Sequence, residues 1–168
     1  MNALHDCVIC LVCAKLDLAI MDDNVLHQEA IRIYFVSLRN WLNRAFGSIG
    51  RDARGCANIL QAGAKLRIDT SVSLYKDLCD VAILFANKLD PQGMSNSLWA
   101  IATLGVDFSG LALVPVLIKR CISLSAELDA HCIANCLWSV ATLGVKITGE
   151  DVVHFLFTRC LEIAKCSQ

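Results

Sequence analysis

Apolar residues recur along most of this chain at intervals of three and four, the spacing of one buried helical face. In the stretch from Asp90 to Gly105, Ser95, Leu98, Trp99 and Ala102 fall at i, i+3, i+4 and i+7. Asp90 is suited to an N-cap and Pro91 to the first helical turn. Gly105 is placed to close the helix as a C-cap. The link "VDFSG" then leads into a second apolar helix near Leu111 to Ser125. Pro115 sits inside that helix and either kinks it or shifts its start.

The same plan returns further on. "NSLWAIATLGV" starts at Asn96 and "NCLWSVATLGV" at Asn135, with eight of eleven positions identical and Trp99 lying 39 residues before Trp138. A step of 38 residues back from Asn96 reaches Asn58 in "CANILQAGAKLRI", which keeps Asn, Leu, Ala, Ala and Leu but has Gln61 in place of the tryptophan. A fainter copy starts at Cys7 in "CVICLVCAKLDL". These periods divide the chain into units 1–51 (divergent), 52–89, 90–128 and 129–168. In the fourth unit Gly144 is the expected C-cap and "KITGED" opens the second helix. The expected fold is all-α. It is a single α-solenoid domain of stacked helix–turn–helix repeats, each burying its faces against its neighbours.

Composition adds a constraint. Of 168 residues, 56% are hydrophobic and 18% charged, too apolar for disorder and more apolar than an ordinary free-standing domain. No uninterrupted apolar run reaches the roughly 18 residues of a membrane span. The surplus of apolar surface is expected to be covered inside a larger assembly. Ten cysteines lie mostly within the helical patterns, and "MNALHDC" has no basic start of a signal peptide, so the thiols are expected to be reduced and packed as small hydrophobes. The net charge is −1, but residues 30–68 carry seven Arg or Lys against Asp52 alone. A local basic zone therefore lies in the first half.

At "NSLWAIATLG" and "NCLWSVATLG" the chain resembles the octotricopeptide-repeat family, whose signature is P-x-x-(L/I)-(A/S)-N-x-L-W-A-x-A-x-L-G, and it is similar to the related heptatricopeptide repeats. The resemblance covers about two-thirds of the chain and is weakest before Arg51. It implies an RNA-binding α-solenoid of a mitochondrion, or alternatively a plastid, with organellar rRNA or mRNA as partner. Some members of the family are built into organellar ribosomes.

Positions spaced 4, 4 and 3 within each first helix share one edge beside the apolar arc. They are Arg54, Asn58, Ala62 and Lys65; Gln92, Asn96, Ala100 and Thr103; and His131, Asn135, Ser139 and Thr142. Their polar members are the expected RNA contacts, since such groups pair with base edges and phosphates. The alternative for the asparagines is architectural, an amide tying down a neighbouring loop or helix end. Trp99 and Trp138 are expected in the core. The basic zone interleaves Arg32, Arg39, Arg44, Arg51 and Arg54 with Tyr34, Phe35, Trp41 and Phe46. Two readings stand for it: an RNA-binding helix that stacks bases, or an amphipathic helix with a solvated basic face and an aromatic core face.

Other motifs carry less. "CVICLVC" spaces Cys7, Cys10 and Cys13 like part of an iron–sulfur ligand set, and "HCIANC" would need His154 or Cys160 to complete a zinc site. Core packing accounts for both, so no cofactor is expected. Nucleophile elbows, phosphate-binding glycine loops and paired carboxylates are not found in the sequence, and the expected action is contact rather than catalysis. The expected function is a non-catalytic, RNA-binding helical repeat. The alternative is a scaffold that docks other proteins within a large ribonucleoprotein, such as a mitochondrial ribosome.

Overall fold

The computed structural model describes residues 24–45, 53–71, 73–105, 112–144 and 152–166. Every regular element among them is helical: α1 (Asn24–Ala45), α2 (Ala53–Lys65), α3 (Ser73–Phe85), α4 (Pro91–Leu104), α5 (Leu113–Ser123), α6 (Ala130–Thr142) and α7 (Val152–Cys166). Two short 3-10 turns, Ala86–Lys88 and Ser125–Glu127, precede α4 and α6. Among the described residues no helix is long and apolar enough to cross a membrane. The faint copy at Cys7, the links "VDFSG" and "KITGED", Arg51 and Phe46 lie outside the described residues.

The helices form two rows. In one, α4 packs between α2 and α6; in the other, α1, α3, α5 and α7 follow one another, and α2, α4 and α6 each pack on the next helix in sequence. The first row is lined with small residues: Gly55, Ala57, Ala62 and Gly63 in α2, and Gly93, Ser97, Ala100 and Ala102 in α4, are all buried. Small side chains let helix axes approach, and a Cβ added at Gly93 would stand 3.5 Å from that of Ala57. The second row supplies bulk, with Tyr34, Leu38, Trp41, Tyr75, Leu78, Phe85, Leu117 and Leu156 all buried. Gly63 marks where the rows touch most closely: a Cβ there would fall 2.7 Å from the Tyr34 hydroxyl oxygen.

The ends of the first-row helices follow the expected chemistry. Asp90 caps α4 by accepting from the Gly93 amide at 2.7 Å, with Pro91 next in the chain. Asp129 caps α6 in the same way, accepting from the Cys132 amide at 2.7 Å. Gly105 and Gly144 take the left-handed conformation just past α4 and α6, at φ +61° and +58°. The matching position after α2 is held by Arg67, at φ 49°. There the amide of Ile68 donates to the Gly63 carbonyl and that of Arg67 to Ala64, the two bonds of a Schellman close. Pro115 does not kink α5. It is the third residue of that helix, where its missing N–H would have had no intrahelical acceptor, so the helix starts at Leu113 rather than at Leu111.

Two arginines brace the hairpins from the second row. Arg120 on α5 donates from Nε and Nη2 to the Leu89 carbonyl, at 3.0 and 2.8 Å. Arg159 on α7 donates from Nε to the Leu128 carbonyl at 3.2 Å. Both acceptors lie one residue before an aspartate cap, so the sequence period repeats as a hydrogen-bond plan.

Candidate functional site

The outward face of the first row is built from α2, α4 and α6. On a helix of about 100° per residue, positions spaced 4, 3 and 4 fall within roughly 60°. The structure exposes or half-exposes that set: Arg54, Asn58, Gln61 and Lys65; Gln92, Asn96, Trp99 and Thr103; His131, Asn135, Trp138 and Thr142. All the polar residues expected on these helices therefore share one face. The third member of each line was misassigned, however. Ala62, Ala100 and Ser139 are fully buried. They sit further around the helix, where the first row packs on itself. Their place on the face is taken by Gln61, Trp99 and Trp138.

The tryptophans are thus a correction. Trp99 is half-buried, one side against the core, and Trp138 is 46% exposed. The shared three-and-four spacing made them look like core, because a bulky apolar residue at the border of the buried arc satisfies the same periodicity. Beside Asn96 and Asn135, their rings are available as stacking platforms.

Between α2 and α4 the face dips into a groove of about 280 Å³ lined by Arg54, Asn58, Gln61, Asp90, Gln92 and Asn96. Arg54 reaches across it to Asp90 Oδ2 at 3.3 Å, with its side chain 82% exposed. Such an exposed pair contributes little to stability, so the guanidinium can exchange its partner for another anion. Asp90 thereby serves two groups, one oxygen capping α4 and the other meeting Arg54. Asn135 Nδ2 donates to His131 Nε2 at 3.3 Å, a contact along the face itself. Asn58 and Asn96 have no side-chain hydrogen bond among the described residues, and none of the three asparagines ties down a loop there. The bracing expected of them is performed by Asp90, Asp129, Arg120 and Arg159. The repeat of Asp90 at 129 and of Arg120 at 159 was a signal for this in the sequence.

The basic zone separates into two layers. Tyr34 and Trp41 are buried in the core and Phe35 is half-buried against it, so these rings face inward. Arg32 is held by Glu29 through a two-pronged contact at 2.8 and 2.6 Å, which keeps the Glu29 carboxyl below its usual range. Arg39 is exposed. Both arginines lie on α1, in the second row, rather than on the helices that carry the polar lines. Arg44 falls in the last turn of α1, and its side chain lies outside the described residues.

The thiols behave as small core groups. Cys56, Cys79, Cys121, Cys132 and Cys136 are buried and Cys160 is exposed. Burial pushes the Cys79 thiol up to about 12. Cys136 donates to Cys121 between α6 and α5, which lowers Cys121 and raises Cys136. Among the described residues no three His, Cys, Asp or Glu side chains converge as a metal site, and Cys7, Cys10 and Cys13 lie outside them. No protein-family model matches this chain, and no curated protein matches it.

Proposed function

We propose that this protein is a non-catalytic helical-repeat RNA binder whose contact surface is the outward face of α2, α4 and α6. One observation carries the reading: equivalent polar residues, each line centred on an asparagine, stand in register on three successive helices. Asn58 and Asn96 offer amides with both donor and acceptor groups, which suit the edges of unpaired bases. Trp99 and Trp138 offer flat faces for stacking, and Arg54 and Lys65 meet phosphate at the α2 end. The stacked hairpins form an α-solenoid similar to octotricopeptide repeats, which would place the protein in a mitochondrion or plastid. Arg32, Arg39 and Arg44 extend the basic character of the same end and steer the RNA backbone.

Fluorescence anisotropy with single-stranded RNA tests this. Affinity should fall with added salt, and Trp99→Ala should weaken binding by about 1–2 kcal/mol, or roughly fivefold to thirtyfold. Binding that ignores both salt and the Trp99 and Arg54 variants would remove the reading. A second reading is supported by the exposed Trp138, Phe157 and Leu161: a scaffold docking other proteins inside a ribonucleoprotein such as a mitochondrial ribosome.

A further inference from the structure

We infer that the outer side of the α6–α7 hairpin is a two-fold self-association surface, on which a second copy of this chain takes the position that α6 and α7 hold against α4 and α5. The inference does not rest on RNA binding. It comes from positions 39 residues apart. On α4, Ser95, Leu98 and Ala102 are buried; their counterparts on α6, Ala134, Leu137 and Ala141, are exposed or half-buried. On α5, Cys121 is buried and Ile118 and Ile122 pack against the core. Their counterparts on α7 are exposed Cys160, Phe157 (56%) and Leu161 (62%). The face that α4 and α5 turn to the next hairpin is therefore repeated, residue for residue, on α6 and α7, with no described element over it.

The intramolecular interface continues onto this surface, and its chemistry is complementary to itself. None of the six residues is charged, so two copies can meet there without burying an unpaired ion. The α6 part is small and the α7 part is bulky. A two-fold axis that lays each α7 across the other copy's α6 sets Phe157 and Leu161 onto Ala134 and Ala141. The polar lines sit about a quarter turn away around α6 and stay open in the pair.

Light scattering on the full chain, from low micromolar to about 100 µM, reads the result directly. The expected outcome is a concentration-dependent mass that stops at two copies. Leu161→Asp and Phe157→Asp should each raise the dissociation constant at least about tenfold. Leu84→Asp, at an equally exposed apolar position on α3, should leave it unchanged, and helical circular dichroism should be the same in all three. Alkylation of Cys160, followed at the peptide level, should slow as wild-type concentration rises but not in Leu161→Asp. A wild-type chain that stays monomeric throughout overturns the inference. So does growth beyond two copies, and so does a Leu84→Asp effect as large as that of Leu161→Asp.

Discussion

The third and fourth hairpins, α4–α5 and α6–α7, are nearly the same phrase in two settings. Each starts from an aspartate cap, ends its first helix in a left-handed glycine and braces its entry with an arginine from its second helix. The third is covered on both sides and the fourth on one. Leu98 is fully buried where Leu137 is not, and Cys121 is buried where Cys160 is exposed. Local signals are thus identical while burial differs, so burial here is a property of neighbours rather than of the repeat.

That difference can be broken most forcefully in the core. Leu98→Ala should destabilise the fold by about 3 kcal/mol, while Leu137→Ala, at the matching half-buried position, should cost about 1 kcal/mol. Urea denaturation of the two variants side by side measures the contrast; equal losses would mean that the fourth hairpin is as well covered as the third.

The arginine braces come next. Arg120→Ala leaves the buried Leu89 carbonyl without its two donors and should cost about 1.5 kcal/mol. Arg159→Ala removes a single, longer bond to Leu128 in the less covered hairpin and should cost less. Thermal melts order the two, and a larger loss for Arg159 would refute the idea that bracing gains weight from cover.

A smaller effect brings α2 into the comparison. Its left-handed close is held by Arg67 where α4 has Gly105. Arg67→Gly should stabilise by a few tenths to about 1 kcal/mol, and Gly105→Ala should destabilise by about 1 kcal/mol through backbone strain, since nothing crowds the added Cβ. Chemical denaturation midpoints should move in opposite directions.

The smallest expected effect is in pH. Hydrogen bonds from the Cys132 amide, and more weakly the charge of His131, hold the Asp129 carboxyl below its usual range. A lowered folded-state value means that the cap contributes stability above the unfolded carboxylate range and loses it as pH falls through the folded value. Asp129→Asn should therefore flatten the decline in melting temperature on acidification from about pH 5 to pH 2. An unchanged slope would show that other carboxylates dominate the acid response.

Much of the local structure was legible in the chain. The caps at Asp90, Gly105 and Gly144 could be read because a cap needs only a side chain or a free φ at one position. The polar lines at Asn58, Asn96 and Asn135 could be read because helical geometry carries a period directly onto one face. The third member of each line could not, because Trp99 and Ala100 lie on opposite borders of the arc, and which border is buried depends on where the next helix packs. The aromatic rings of α1 were equally ambiguous: Tyr34 and Trp41 face inward only because α1 lies against the second row.

By itself, then, the sequence determined helices, their ends and their repeat, all consequences of interactions within a few residues. Only the tertiary structure decided which faces are covered, since burial requires a partner from elsewhere in the chain. Trp99 and Trp138 share their local sequence and differ in exposure because α6 has a packed neighbour in its row on one side, while α4 has one on both.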